Sequence, residues 1–372
     1  MILGEKKENI SFINEKEKNV LKDNNTSATK ENTLIPTVDK NDYSNRKNLI
    51  STINDNIPEF FEKFDLLEYI NSGSAGYVYK GIYKSKIKKD VALKFLINRK
   101  QKDKMKKDKD INSQEIVISK KLHNQKVTET YAYFKKKDIN FSVMEYGKHG
   151  DIEHFLKNLL KRRFYSETFL NYLTKQILDG LKYIHKCKIV HMDIKPGNIL
   201  LDSNLEAKIT DFSVSCQYNS FHPEDLVKFP FVGTGKFISP EVLSKAHMKI
   251  KEAEKIDMYS LGVTLYYLYY GQFPYNLNNV KGKDYENILN NINNEELIFP
   301  KERKKSKLFE DFLRKILEKN YEKRLNIREA LKHPWIEGSK IIFDEKENIS
   351  CNENFLIKLI TDCIPKFNEY IS

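Results

Sequence analysis

The stretch that decides the fold spans residues 191–201 and reads His-Met-Asp-Ile-Lys-Pro-Gly-Asn-Ile-Leu-Leu, followed by Thr-Asp-Phe at residues 210–212. Asp193 and Lys195 are two residues apart, so both side chains can face one cleft from an extended loop. Asn198 and Asp211 add one neutral and one anionic oxygen donor, which are ligand types that Mg²⁺ accepts. Phosphoryl transfer needs a carboxylate near the attacking hydroxyl, a cation near the transferring group and oxygen ligands for the metal. The spacing of these four residues therefore predicts a phosphoryl-transfer site.

A lysine ends an apolar run farther upstream, at Val91-Ala92-Leu93-Lys94. An ammonium group in apolar surroundings is costly without an anionic partner, and Glu115 in the following helical segment can supply one. Such a pair would hold Lys94 against the α- and β-phosphate oxygens of a nucleotide. The alternative is an ordinary lysine that faces solvent.

A small-residue turn precedes this run, between Ile70 and Val78, and contains Gly73 and Gly76. Glycine allows the backbone to approach a phosphate closely, but a hairpin with two glycines is often only a turn. The motifs on either side favour the interpretation as a phosphate loop.

Together these segments resemble the eukaryotic protein kinase family, over about Phe64 to Trp335. The resemblance implies an α+β bilobal fold, with an N-terminal antiparallel β-sheet lobe, one main helix and a larger helical C-terminal lobe. It also implies transfer of the γ-phosphoryl group of ATP, with Mg²⁺, to a protein substrate. Lys195 after Asp193 is typical of the serine/threonine version. By resemblance, Asp193 is the catalytic base and Asn198 and Asp211 are the metal ligands, while Lys195, Lys94 and Glu115 complete the catalytic group.

The resemblance also places the nucleotide. Its expected contacts are apolar side chains above and below the adenine, backbone groups of the hinge between the lobes, and the phosphate loop. These residues are Ile70, Val78, Ala92 and Leu200 for the adenine, Glu145 and Gly147 in the hinge, and Gly73, Gly76 and Lys94 for the phosphates.

Downstream motifs extend the resemblance through the second half of the chain. Ser239-Pro240-Glu241 stands at the end of the activation segment, Asp257 begins the motif of the long central helix, and Arg324 precedes His333-Pro334-Trp335. By resemblance, Glu241 and Arg324 form a structural ion pair. The overall pattern is most similar to the calmodulin-dependent protein kinase group, and the members that activate other kinases are a candidate subgroup.

Four positions depart from the family pattern: Asn71 in the phosphate loop, Ser119 after Glu115, Met192 before Asp193, and Ser213 after Asp211-Phe212. These departures keep open a second function, that of a pseudokinase scaffold that binds nucleotide and partners without efficient phosphotransfer. Every charged group that the chemistry requires is retained, however. Loss of a loop glycine alters positioning, whereas loss of a metal carboxylate removes charge neutralisation. The sequence therefore favours an active enzyme.

The formal net charge of +12 and the pI near 9.1 raise the question of a polyanionic partner. Lysine and asparagine are spread along the whole chain and form no single basic stripe, so we expect no nucleic-acid partner. No apolar run is long enough to cross a membrane, and the four cysteines form no C-x-x-C pair. We expect a cytoplasmic or nuclear protein with free thiols and no membrane partner.

Three segments flank or interrupt the catalytic domain that we predict at residues 58–336, with lobes at about 64–146 and 147–336. Residues 1–57 are rich in polar residues and predict a flexible extension. Arg99–Asp110 is a Lys-rich loop whose role the sequence does not define. Residues 337–372 form a tail with an amphipathic helix, for which we expect packing against the catalytic domain. A regulatory or calmodulin-like partner for that helix is the weaker interpretation, because its charges nearly cancel.

Overall fold

The computed structural model describes residues 49–55, 57, 59–73, 76–96, 111–136, 139–156, 165–218 and 222–338. The Lys-rich loop, residues 1–48 of the predicted extension and the tail helix after residue 338 lie outside the described residues. Everything below concerns the described part of the chain.

The N-terminal lobe is built on one five-stranded antiparallel sheet in the order β1-β2-β3-β5-β4. Its strands are rich in β-branched and aromatic residues, which pack well on a pleated surface. They are β1 (Phe64–Gly73), β2 (Gly76–Tyr83), β3 (Lys89–Leu96), β4 (Thr130–Lys136) and β5 (Ile139–Glu145). The predicted sheet lobe is confirmed.

Two helices precede this sheet, α1 at residues 49–55 and α2 at Phe60–Lys63. The expectation that residues up to 57 form a flexible extension is therefore wrong for its last residues. Ile53 is fully buried and Ile57 is 6% exposed, and both belong to one apolar cluster with residues of the sheet. Two isoleucines four residues apart lie on one side of a helical turn, so a mainly polar segment can still cover apolar surface.

The two faces of the sheet have different surroundings, because side chains alternate along each strand. One face is buried under α2 and the other faces the cleft. Leu93 and Phe95 point to the face that α2 covers, where Phe95 and Phe141 stack with ring centroids 5.3 Å apart. Ala92 and Lys94 point to the opposite face, which looks into the cleft. Burial of the aromatic face thus orients Lys94.

We predict that Ile53→Ala lowers the free energy of unfolding by about 2–5 kcal/mol, the range for a fully buried isoleucine cut to alanine. The measurement is a urea unfolding curve of the full chain. Ser51→Ala, two residues earlier and exposed, serves as the matched control and should change stability by less than about 0.5 kcal/mol. Equal stability of the Ile53 variant and the parent would show that α1 does not contribute to the core.

The C-terminal lobe is mainly helical and surrounds one large apolar cluster. Residues of α7 are buried on all sides, which is typical of a central helix. Besides α3 (Ile111–Ser119) next to the sheet, the helices are α4 (Ile152–His154), α5 (Glu167–Lys186), α6 (Pro240–Leu243), α7 (Glu254–Tyr270), α8 (Tyr285–Asn294), α9 (Lys307–Ile316), α10 (Ile327–Leu331) and α11 (Pro334–Glu337). The predicted bilobal kinase fold is confirmed.

Three short antiparallel pairs line the junction of the lobes and the segment that follows it. They are β6 (Ile189–Val190) with β9 (Cys216–Gln217), β7 (Ile199–Leu201) with β8 (Ala207–Ile209), and β10 (Leu226–Val227) with β11 (Met248–Lys249). Residues 191–198 lie between β6 and β7, so the short strands fix both ends of the predicted catalytic loop. No helix of the described residues has the length and apolar character needed to cross a bilayer.

Candidate active site

Lys94 is the central cation of the cleft. Its Nζ donates to Glu115 Oε1 at 2.5 Å and to Asp211 Oδ1 at 2.8 Å. Lys94 and Glu115 are both only 6% exposed. Glu115 stands on α3 and Asp211 follows β8, so one ammonium group joins the sheet, the main helix and the C-terminal lobe.

The electrostatics of this triad keep Lys94 and Asp211 charged. Burial disfavours the charged Lys94, but the carboxylates of Asp211 and Glu115 outweigh burial, and the pKa of Lys94 is raised. Burial also works against the Asp211 carboxylate, yet the attraction of Lys94 prevails and the pKa of Asp211 is lowered. For Glu115, burial outweighs the attraction of Lys94 and raises the pKa. A cation and an anion are therefore both present near the phosphate-binding region at neutral pH.

Asp193 lies within the loop between β6 and β7 and accepts three hydrogen bonds from two donor groups. Lys195 Nζ donates to Asp193 Oδ2 at 2.7 Å, and Asn198 Nδ2 donates to the same oxygen at 3.0 Å and to the Asp193 backbone carbonyl at 2.8 Å. Lys195 Nζ also donates to Thr234 Oγ1 at 2.6 Å. The carboxylate orientation is therefore set by residues on both sides of the loop.

The second oxygen of Asp193 is buried and has no hydrogen-bond partner among the described residues. A buried carboxylate oxygen without a donor carries a free-energy cost, and such groups often belong to functional sites. A hydroxyl group of a substrate is a donor that would satisfy it. Asp193 thus has one oxygen held by the protein and one left for a ligand.

Asp257, in the first turn of α7, fixes the backbone of the catalytic loop by hydrogen bonds. Its fully buried carboxylate accepts from the backbone nitrogens of His191 at 2.8 Å and Met192 at 2.9 Å, and from His185 Nε2 at 2.7 Å. Burial favours the neutral acid, but these donors prevail and lower the pKa of Asp257. Met192 has φ 69°, a left-handed conformation that is unfavourable for its side chain type. The two backbone bonds to Asp257 stabilise that strained geometry.

Asp211 has the same unusual backbone geometry, with φ 66°. The next residue, Phe212, is buried and packs edge-on against His191, with ring centroids 5.0 Å apart. His191 Nε2 lies 2.9 Å from the carbonyl of Thr210. Ser119, four residues after Glu115, is half-buried and offers a small polar side chain at that position. The Asp-Phe-Ser turn therefore points Asp211 toward Lys94.

The predicted adenine pocket lies where the sheet meets β7. Val78 pairs with Lys94 and Met144 pairs with Ala92 in neighbouring strands, so all four side chains share the cleft face. Ile70 of β1, 42% exposed, lies at the open edge. Val78, Ala92 and Met144 thus form an apolar surface beside Lys94 on the cleft face of the sheet.

The hinge passes close to the floor of this pocket. A Cβ atom on Gly147 would lie 3.0 Å from Leu200 Cβ, so a glycine allows the hinge to approach Leu200. Glu145 ends β5, and its carboxylate forms an ion pair with Lys208 at 2.8 Å. Its backbone, not its side chain, is therefore the part that a nucleotide would contact.

Gly73 and Gly76 face each other at the end of the β1-β2 hairpin. Gly76 has φ 155°, and a Cβ atom there would lie 1.9 Å from the carbonyl oxygen of Phe95. Any side chain at this position would force the hairpin away from β3. The tip of the hairpin, residues 74 and 75, lies outside the described residues.

A family model for the protein kinase domain matches residues 64–336. The chain belongs to the protein kinase family. The kinase is 32% identical over 282 residues to human death-associated protein kinase 2, a match that covers 73% of this chain and 71% of that protein. It is a serine/threonine protein kinase of the calmodulin-dependent kinase type.

Two further relatives extend beyond the matched part. The kinase is 28% identical over 305 residues to human NUAK family SNF1-like kinase 1, with 81% of this chain and 42% of that protein covered. It is 31% identical over 279 residues to the probable serine/threonine-protein kinase fhkB of Dictyostelium discoideum, with 74% of this chain and 23% of that protein covered. The chain spans less than half the length of both.

The activation segment of the kinase is held by strand pairing, ion pairs and aromatic packing, of which the sequence indicated only the packing of its phenylalanines. Its strand β10 pairs with β11, and Glu224 forms ion pairs with Lys249 at 3.4 Å and with Lys251. Phe229 is buried in the core of the lobe, while Phe231 is 38% exposed and packs edge-on against Tyr285 at 4.8 Å. Apolar packing and ion pairs together order this segment.

Other functional contacts were missed because their partners are distant in sequence. The resemblance placed Asp257 on the central helix, but its hydrogen bonds to the catalytic loop became visible only in the structure. The same applies to the pairing of Lys208 with Glu145. No spacing pattern marks these partners, although an acidic residue in an otherwise apolar helix was a usable signal for Asp257.

Proposed function

We propose that the kinase is an active enzyme that transfers the γ-phosphoryl group of Mg-ATP to a serine or threonine hydroxyl of a protein. The observation that carries this proposal is the simultaneous contact of Lys94 with Glu115 and Asp211. A scaffold that only binds nucleotide has no need for a buried lysine that couples the main helix to the metal position. Active protein kinases require the strand lysine to be paired with the helix glutamate and the metal-binding aspartate to be in place.

The residues present fit Mg-ATP. Asp211 is kept anionic by Lys94, and Asn198 uses its amide nitrogen on Asp193, which leaves the amide oxygen available as a second metal ligand. When bound, Mg²⁺ would neutralise charge on the phosphate oxygens. Groups of three or more His, Cys, Asp or Glu side chains suited to a metal do not occur among the described residues, and a site of two protein ligands plus phosphates does not require one.

The chain's own residues divide the remaining tasks. Lys94 would hold the α- and β-phosphate oxygens, and the hinge and Leu200 would orient the adenine. The free oxygen of Asp193 would accept a hydrogen bond from the substrate hydroxyl and take its proton as the new bond to phosphorus forms. Lys195, fixed between Asp193 and Thr234, would stabilise negative charge on the transferring group.

The test is an initial-rate assay of the purified full chain with Mg-ATP and a peptide library, with Asp193→Asn as the control. Phosphate incorporated into serine or threonine by the parent, and lost in the control, supports the proposal. Saturable nucleotide binding with no incorporation above the control would instead establish the pseudokinase scaffold, which the departures at Asn71, Met192 and Ser213 favour.

We predict that activation depends only weakly on phosphorylation of the activation segment. Met192 occupies the place where many relatives carry an arginine that would pair with a phosphate, and residues 222–233 contain no Ser, Thr or Tyr. Glu224 already supplies a negative charge to Lys249 and Lys251. Thr234 is bonded to Lys195 and belongs to the site.

The measurement compares initial rates of the enzyme before and after complete dephosphorylation, verified by mass spectrometry. Activity within a few-fold of the untreated enzyme is the expected result. A loss of at least about 10²-fold, the scale of removing a preorganised charge, that rephosphorylation of one residue restores would contradict the prediction.

A further inference from the structure

A second concave site lies in the C-terminal lobe, between the C-terminal end of α5, the turn before α7, and α10. Its volume is about 640 Å³, within the range of about 300–1,000 Å³ that is usual for ligand sites. None of the residues assigned above to nucleotide, metal or substrate hydroxyl lines it. The proposed catalytic function leaves this cavity unexplained.

The floor of the cavity is largely apolar. Ile250 and Ile327 are 5% and 3% exposed, and Leu331 and Tyr218 are half-buried beside them. A concave apolar floor accommodates an aliphatic side chain better than it accommodates a bare phosphate group.

The rim of the cavity carries a strong positive charge. Glu254 is the one acidic side chain that lines it, against six exposed cations. Lys251 is paired with Glu224, but within the described ranges no carboxylate lies within ion-pair distance of the other five. The cations are Lys182, Lys186, Lys188, Lys251, Arg328 and Lys332.

The cations lie close enough together to repel one another, although those in the last turns of α5 and α10 also interact favourably with the helix dipoles. Lys182 and Lys186 are four residues apart on α5, and Arg328 and Lys332 are four apart at α10. Like charges at this spacing destabilise a helix by about 0.2–0.5 kcal/mol per pair. An anionic partner would convert this repulsion into attraction.

His185 adds a polar atom to the cavity wall. Its Nε2 lies 2.7 Å from the Asp257 carboxylate, whereas its buried Nδ1 has no hydrogen-bond partner among the described residues, and the nearest Glu254 oxygen is 3.9 Å away. Because Nδ1 is closed off from the surface, His185 fixes the shape of the cavity wall through Asp257 and does not itself identify the ligand.

We propose that this cavity is a docking site for an acidic linear peptide of a partner protein. An aliphatic side chain of the peptide lies on the floor at Ile327 and Leu331, and flanking carboxylate groups contact the rim. Nucleic acid fits less well, because the floor is aliphatic and only Tyr218 could stack on a base.

The test uses fluorescence polarisation with the full chain and a short labelled peptide that has two leucines flanked by glutamates. The parent should bind it in a saturable and salt-dependent way. Lys186→Glu combined with Lys332→Glu should weaken binding by at least about tenfold, a change of about 1.4 kcal/mol. Lys301→Glu combined with Lys307→Glu makes the same change of charge at exposed residues outside the cavity and should bind like the parent.

Two matched peptides and one nucleic acid decide what the site recognises. Replacing the leucines with serine, or the glutamates with glutamine, should each weaken binding by at least about tenfold. Equal loss in both double variants, equal binding of the serine peptide, tighter binding of a single-stranded RNA, or no saturable binding of the leucine peptide would each overturn the proposal.

A separate readout keeps this proposal apart from the catalytic one. Phosphorylation of a minimal peptide substrate by the Lys186→Glu, Lys332→Glu variant should match the parent, because the catalytic residues are untouched. Its thermal unfolding should also match that of the control double variant. Loss of docking with normal turnover supports the docking site, whereas absence of turnover in the parent bears only on the catalytic proposal.

Discussion

Asp211→Ala is expected to lower the rate of phosphotransfer by at least about 10²-fold, the usual cost of removing a preorganised charge from a reacting centre. Asp211 contacts Lys94 at 2.8 Å and is the anionic ligand proposed for Mg²⁺. The alanine variant would leave Lys94 with Glu115 alone. It would also remove the anionic ligand that is proposed to hold Mg²⁺ against the phosphates. The fold should persist, because the cleft is solvated at this point and Asp211 is a third exposed.

The measurement is an initial rate with saturating peptide over a range of Mg-ATP concentrations. Asp193→Asn should show a comparable loss in kcat, but its nucleotide affinity should stay near that of the parent, because Asp193 is assigned to the substrate hydroxyl. Asp211→Ala should in addition weaken nucleotide binding that depends on Mg²⁺. The difference in nucleotide affinity between the two variants distinguishes the catalytic base from the metal ligand.

Asp90→Ala is the matched control for both variants. Asp90 stands on the same strand as Lys94, but it is exposed and its contact is Lys80 at 3.5 Å. It should retain parental turnover. Near-normal turnover of Asp211→Ala with Mg-ATP would mean that the metal role assigned to Asp211 is wrong.

Glu241→Gln is expected to lower the free energy of unfolding by about 3–5 kcal/mol, the cost of breaking a buried ion pair from one side. Arg324 is 1% exposed, and its two terminal nitrogens donate to Glu241 Oε1 at 2.7 Å and Oε2 at 3.0 Å. It lies with its guanidinium 4.9 Å from the centroid of the Tyr259 ring. The glutamine variant would leave a buried cation without a counter-ion.

Urea unfolding of the full chain provides the measurement, with secondary structure and aromatic fluorescence followed in parallel. Glu310→Gln is the control, because Glu310 pairs with Arg314 at 2.7 Å on an exposed helical turn. Exposed pairs contribute about 0–1 kcal/mol, so this variant should remain close to the parent. Equal effects of the two substitutions would contradict the structural role of the Glu241–Arg324 pair.

The strands and the long helices were predictable because their signals are local. The run of apolar residues at Val91–Leu96 indicates β3, and the long, mostly apolar stretch at Ile256–Tyr270 indicates α7; the structure has Lys89–Leu96 and Glu254–Tyr270. The boundaries differ by two residues because end positions depend on neighbouring strands and on capping. The role of residues 49–57 was mispredicted, since the average composition of residues 1–57 concealed the two buried isoleucines, Ile53 and Ile57.

The sequence by itself determined the family, the order of the two lobes and the identity of the charged groups in the cleft. The reason is that the catalytic loop is a short segment in which Asp193, Lys195 and Asn198 keep a spacing that the chemistry requires. Such a spacing can be recognised in the sequence without any knowledge of how the chain packs.

Only the tertiary structure decided which distant groups meet. Lys94 contacts Asp211, 117 residues away, and Asp257 holds the backbone of the catalytic loop across 65 and 66 residues. The cations of the second cavity come from α5, α10 and the turn before α7, which are far apart in the chain. Contacts of this kind follow from how whole elements pack, and the period of a local pattern carries no information about that packing.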